Sequence, residues 1–186
     1  MQPELALKFG PLPSQVGPDH IAALCARAAV APPGPFVEVG VFQGGTAWHL
    51  AKIAQEQGRD IWLYDTFAGI PYSGPNDSHK IGDFAACSYD DVRAAIPYAR
   101  VVQGIYPQSA WGLLYGPVKP IAFVHLDCDQ ERAYREALAF LIPRMAKGGV
   151  MWFDDAPCLP GAMKAVADVF AAERIRETAG KWWVEL

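Results

Sequence analysis

The chain has 186 residues and only four cysteines, Cys25, Cys87, Cys128 and Cys158. They are scattered, without metal-finger spacing or the look of a disulfide framework, so a reducing, cytoplasmic setting is expected. Positive charge is not in excess. The formal net charge is -4, which argues against a nucleic-acid surface. No uninterrupted apolar run is long enough to span a bilayer. The N-terminus has no basic stretch followed by an apolar one, so no signal peptide is expected. There is no internal repeat and no low-complexity tract. Charged residues make up 19% and hydrophobic ones 52%, which excludes a disordered chain and suits one domain over residues 1–186 with a sizeable core.

What is present is organised around two stretches. Ile121-Ala-Phe-Val-His-Leu-Asp-Cys-Asp129 and Gly148-Gly-Val-Met-Trp-Phe-Asp-Asp155 each read as a buried strand ending in carboxylates. Apolar runs of this kind fit strands covered on both faces. Asp127, Asp129, Asp154 and Asp155 would gather at one sheet edge and repel one another unless protons or a cation sat among them. The pattern points to a hard divalent metal at the carboxyl end of a parallel sheet. The competing reading is that these aspartates cap helices or open turns.

Around these strands the pattern alternates. Residues 1–17 read as an extended lead-in. A helix opens at Pro18 and Asp19, with Ile21, Leu24, Cys25 and Ala28 on one face, and Ala31-Pro-Pro-Gly-Pro35 stops it. Residues 1–34 are thus lead-in and helix. Phe36 to Val39 reads as a strand, Gly40 to Gly45 as a glycine-bearing turn, and a helix follows from Thr46. Strand, glycine turn and helix open a nucleotide-binding unit, because glycine lets the backbone approach a ligand and the helix start offers free N–H groups. The spacing is G-x-x-x-G-G rather than G-x-G-x-x-G, which weakens a dinucleotide reading. Glu38 inside the strand must find a donor. A bound cationic amino group would serve, as would a nearby backbone group or arginine.

Asp60 to Asp65 reads as the second strand, and Asp65 is placed to accept hydrogen bonds from ribose hydroxyls or to act as a cap. Residues 66–83 form a long loop, read as a lid over cofactor or substrate; His79 and Lys80 within it are solvated loop residues or ligand contacts. Ser88 caps a helix running to Ile96, Arg100 to Gly104 is a third strand, and 107–114 a short helix. Tyr134, Ala137, Leu138 and Leu141 mark another helix, as do Met163, Val166, Ala167 and Phe170. Residues 174–178 and 181–186 read as a hairpin with Gly180 in its turn, with Trp182 and Trp183 as core and edge cover. Together this is an α/β chain with a seven-stranded sheet, mostly parallel, whose last strand inserts antiparallel.

The segments FVEVGVFQGG, LYDTFAGIP, HKIGDF, FVHLDCD and GGVMWFDDAPCLPGAMKAVADVF stand in one order between Pro35 and Phe170. In these the chain resembles class I S-adenosylmethionine-dependent methyltransferases, and among them the macrocin O-methyltransferase family of metal-dependent sugar and natural-product enzymes. The resemblance implies a Rossmann-like fold with helices on both faces of the sheet. It implies that Glu38, Gly40, Val41, Gly44 and Gly45 contact the methionine part of S-adenosylmethionine. Asp65 would hold the ribose, with Thr66 and Phe67 beside it, and Asp83 and Phe84 would lie near the adenine. Asp127, Asp154 and Asp155 match the metal-binding aspartates, with Mg²⁺ the usual ion, and Asp127 also matches the general base proposed for relatives. Asp129 and His125 are the other candidate bases, and His125 also reads as a satisfied core residue. The implied partner is a small-molecule hydroxyl acceptor, a sugar or glycosylated natural product, with no nucleic acid and no membrane. A homo-oligomer is left open. The resemblance departs at Cys128-Asp-Gln130, where relatives often continue Asp-Leu-Tyr. The alternatives are an NAD- or other nucleotide-binding α/β enzyme, or a non-catalytic module that binds S-adenosylmethionine. The first does not account for the acidic pair on the fifth strand, nor the second for so much carboxylate.

Overall fold

The structure, a computed structural model, describes residues 10–110, 112 and 119–186. The described elements run α1 Pro18–Ala29, β1 Phe36–Val39, α2 Gly45–Glu56, β2 Ile61–Asp65, α3 Tyr89–Ala95 and β3 Arg100–Gln103. Then follow β4 Ile121–Leu126, α4 Glu131–Leu141, β5 Met145–Phe153, α5 Pro160–Ala167, β6 Arg176–Thr178 and β7 Lys181–Glu185. The short helix expected over 107–114 lies in part outside the described residues, as does most of the lead-in.

All seven strands form one sheet in the order β3-β2-β1-β4-β5-β7-β6. β1 to β5 pair in parallel. β7 inserts antiparallel between β5 and β6. The hairpin turn is Ala179-Gly180, both with positive φ (52° and 74°), the conformation that matches strand twist in a two-residue loop.

The central strands are apolar because both faces are covered. Phe36, Ile61, Leu63, Phe123 and Trp152 pack with Leu24, Ala28, Ala47 and Leu50 of α1 and α2. Val37, Val39, Val124, Leu126, Met151 and Phe153 face the other way, against Tyr134, Ala137, Leu138 and Leu141 of α4 and Val166 of α5. The α4 positions follow the spacing of one helical face. The Tyr134 hydroxyl also donates to the Leu126 carbonyl at 2.8 Å, tying the helix to the end of β4. α5 departs from the sequence expectation. It ends at Ala167, which is exposed, and buries Gly161, Ala162, Ala165 and Val166, with Phe170 folding back beyond its end. Ser88 caps α3 as expected, accepting from the Asp91 N–H at 3.3 Å. Among the described residues, no helix is long and apolar enough to cross a membrane.

Candidate active site

The carboxyl ends of β1, β2, β4 and β5 open onto a cavity of about 660 Å³. This is where an open parallel sheet places its ligands, and the volume suits a small-molecule site. Asp127, Asp129, Asp154 and Asp155 all line it, as do Gly40, Val41, Gly45, Asp65, Thr66 and Phe84. The two strands read first in the sequence therefore meet where the acidic pairs require.

Asp127, Asp154 and Asp155 each offer an oxygen within 4.8 Å of the other two. Asp155 Oδ2 accepts from the Asp129 N–H at 2.9 Å, and Asp129 takes a left-handed φ of 61° to make this contact. The cluster's proton affinities follow from crowding. Burial and the charges of Asp154 and Asp155 hold Asp127 well above the usual carboxylate range. Burial and the charges of Asp155 and Asp154 push Asp129 to about 8. Burial and Asp154 raise Asp155 to about 6. Asp154 goes the other way: burial would raise it, but His125 and Lys181 hold it below. One of its oxygens, Oδ1, is buried without a hydrogen-bond partner. Three converging carboxylates, one of them with a buried unpartnered oxygen, fit a divalent cation such as Mg²⁺.

Two cations touch this cluster among the described residues. Lys181 Nζ donates to Asp154 Oδ2 at 2.7 Å and to the Asp154 carbonyl at 2.6 Å. Burial would lower its pKa, but Asp154 more than offsets this and holds the ammonium charged. His125 Nε2 lies 3.8 Å from Asp154 Oδ1, and its Nδ1 meets Glu38 Oε1 at 2.8 Å. The imidazole is desolvated, but Asp154 and Glu38 together raise it to about 10, so it is held protonated.

The partner of Glu38 is thus His125. The parallel register sets Glu38 directly beside His125, so neither a backbone group nor an arginine is needed. Glu38 does not line the cavity. Three further residues expected at the cofactor also stay out of the lining. Gly44 faces Leu12 and Val92. The Phe67 ring packs edge-on against Tyr89. Asp83 is exposed and accepts from the Lys80 N–H.

Asp65 lines the cavity but is already engaged. Its Oδ2 accepts from the N–H groups of Val41 and Phe42 at 2.7 and 2.8 Å, and Oδ1 from Phe67 at 2.8 Å. It shapes the glycine turn, and a carboxylate with about four lone-pair sites has capacity left for a hydroxyl. Gly40, with φ of 90°, backs onto the Asp127 carbonyl so closely that any Cβ there would collide with it. The turn after β1 and the acidic end of β4 are thereby held in contact.

The loop after β2 wraps one side of the cavity through Gly69, Ile70, Pro71, Tyr72 and His79. Asp77 Oδ1 accepts from the Glu131 N–H at 2.8 Å, capping α4, and Asn76 reaches the Glu131 carboxylate. His79 Nε2 lies 3.6 Å from Asp129 Oδ1. Two groups of lining residues were not marked by the sequence. Pro13, Ser14, Gln15 and Val16 line the cavity, although this segment reads only as an extended lead-in. Lys181 looks like an ordinary strand-opening lysine. Only its position beside a turn, on the same face as buried Trp183, hints that it points inward.

The fold is similar to that of solved methyltransferases. The O-methyltransferase NovP superposes with a TM-score of 0.77 at 20% identity, covering 92% of this chain and 81% of that one. Residues 19–181 match the macrocin-O-methyltransferase (TylF) family, and the chain belongs to that family. It is 28% identical over 142 residues to the 8-demethyl-8-(2,3-dimethoxy-alpha-L-rhamnosyl)-tetracenomycin-C 4'-O-methyltransferase of Streptomyces olivaceus, over 66% of this chain and 53% of that protein. It is 26% identical over 152 residues to the demethyldecarbamoylnovobiocin O-methyltransferase of Streptomyces niveus, over 72% of this chain and 57% of that protein. The chain thus spans little more than half the length of the curated relatives it matches.

Proposed function

We propose that this chain is an S-adenosylmethionine-dependent O-methyltransferase acting on a hydroxyl of a sugar or glycosylated natural product, with Mg²⁺ held by Asp127, Asp154 and Asp155. The observation that carries the reading is the convergence of these carboxylates within 4.8 Å, in a cavity that the glycine turn also lines. A relative named for methylating a rhamnosyl-bearing compound supports the acceptor class.

S-adenosylmethionine supplies the methyl group, and its methionine end belongs at Gly40, Val41 and Gly45, where the free N–H groups of the α2 start suit a carboxylate. Asp65 and Thr66 belong to the ribose, and Phe84 to the adenine. Glu38 and Phe67 act, on this reading, from behind the lining. Glu38 does so by fixing His125, and Phe67 through the N–H it gives to Asp65.

Methyl transfer from a sulfonium is an in-line displacement, so positioning dominates its rate. When bound, Mg²⁺ lowers the pKa of a coordinated hydroxyl and orients it. A carboxylate must then take the proton. Asp127 is one candidate. Asp129 stands outside the converging three, lines the same cavity, and is the other candidate.

Calorimetric titration of the purified protein with S-adenosylmethionine, with and without Mg²⁺ and in parallel with NAD, tests the proposal. Micromolar binding of S-adenosylmethionine and none of NAD is expected. No binding of S-adenosylmethionine under either condition would remove the basis for methyl transfer.

A further inference from the structure

Lys181 is an unusual neighbour for a cation site. It opens β7 directly after the Ala179-Gly180 turn. Only 8% of it is exposed, and it lines the cavity that holds the carboxylates. Its ammonium is fixed twice by one residue, through Asp154 Oδ2 and the Asp154 carbonyl. Asp154 Oδ1 is left buried and unpartnered. Asp127 and Asp155 have no cationic partner of their own among the described residues within ion-pair distance.

We propose that Lys181 is a resident counter-ion of the carboxylate cluster that competes with the divalent cation and sets its affinity low. The inference rests on the cation reading above. With Oδ2 committed to the ammonium, Asp154 has a single oxygen to offer. A cation on that oxygen shares its carboxylate with a like charge. Two effects oppose each other here. Losing an outer partner that orients a ligand weakens a metal site by roughly ten- to a hundredfold. Losing a buried positive charge strengthens it, and that repulsion is doubled by the ion's charge and poorly screened away from water. Orientation is also secured a second way, since His125 faces the other oxygen of Asp154 from a position locked by Glu38. Repulsion therefore wins. The ion is held loosely by the protein alone, and firmly once an acceptor's oxygens complete its ligand set. Lys181 meanwhile gives Asp154 a partner while the ion is absent.

The experiment is titration of the purified protein with Mn²⁺ alone, read by the electron paramagnetic resonance of the free ion, for the parent, Lys181→Met and Lys181→Arg. The expected result is at least tenfold tighter Mn²⁺ binding by Lys181→Met, with Lys181→Arg near the parent. Thermal unfolding gives a second readout. Without ion, Lys181→Met should melt below the parent because Asp154 loses its ammonium partner, and it should gain more on adding Mn²⁺. Equal or weaker binding by Lys181→Met, with the parent binding normally, would overturn the counter-ion role and leave the cation reading standing. Binding by Lys181→Met but not by the parent would support the role in its strongest form. No binding by any variant would overturn both. Should Lys181→Met not fold, Lys181→Gln removes the same charge and is judged by the same comparison.

Discussion

His125 and Glu38, 87 positions apart in the sequence, share one rung of the sheet, their Nδ1 and Oε1 atoms 2.8 Å apart and both side chains shut off from solvent. A buried pair of this kind adds little over a well-packed apolar pair, but losing one partner strands a charge at a cost of about 3–5 kcal/mol. Glu38→Gln and His125→Gln should each destabilise on that order, and the double variant by less than the sum. Urea unfolding of the four proteins measures the coupling. Strict additivity would show that the pair does not act as a unit.

Without a divalent cation, stability should fall as pH rises. The folded-state pKa of Asp155 is raised to about 6 and that of Asp129 to about 8, against about 3.9 in an unfolded chain. Each group holds its proton more tightly when folded. Its contribution is thus fully present below about pH 4 and lost as pH climbs through the folded value. His125, raised to about 10, extends the decline on the alkaline side. Denaturation midpoints at pH 5, 7 and 8.5, in chelator and then in millimolar Mg²⁺, provide the check. The fall should be clear in chelator and shallower with Mg²⁺, and a flat profile in chelator would contradict it.

Asp65→Asn should cost both stability and cofactor binding. The carboxylate accepts three backbone N–H groups, two of them from the glycine turn. An amide turns one acceptor into a donor facing donors. Hydrogen bonds to a charged group are worth about 1.5–3 kcal/mol each. A loss near 3 kcal/mol in unfolding free energy is expected, with S-adenosylmethionine binding weakened at least a hundredfold. Unchanged calorimetric binding would mean that the turn keeps its shape without Asp65.

Gly40→Ala tests the contact between the two halves of the site. Its positive φ disfavours any side chain, and the methyl would collide with the Asp127 carbonyl. A loss of about 3 kcal/mol or more is expected from strain and overpacking, read as a drop in thermal midpoint. The same change at Gly148, where φ is 75° but nothing lies within 4 Å of an added Cβ, should cost less. Equal losses would assign the whole effect to backbone strain.

Much of the architecture is legible because its signals are local. The bounds of β1, the Ser88 cap and the helical spacing of Tyr134, Ala137, Leu138 and Leu141 depend on neighbours a few positions away. The meeting of Asp127 with Asp154 and Asp155 is legible for another reason: two parallel strands must end at the same edge. What cannot be read locally is which side chain answers which. Glu38 calls for a donor, but that it is His125 depends on the β1–β4 register. Asp65 reads as a ribose ligand, and its grip on Val41 and Phe42 emerges only when β2 lies beside β1. Lys181 belongs to a hairpin whose place in the sheet, between β5 and β6, is set by tertiary packing. The cavity role of Pro13 to Val16 leaves no mark, because a segment lying across a cleft needs no periodicity.

The Glu38–His125 rung also has a bearing on how the sheet finds its alignment. Every other residue of β1 and β4 is apolar, and apolar rungs tolerate many pairings. A slip of one residue would set Glu38 beside Val124 or Leu126 with its side chain on the wrong face. A slip of two would set it beside Phe123, with a stranded carboxylate, or beside Asp127, carboxylate against carboxylate. Only the native alignment gives this charge a partner, so one polar rung in an oily sheet proofreads the pairing that sets the glycine turn after β1 against the acidic end of β4.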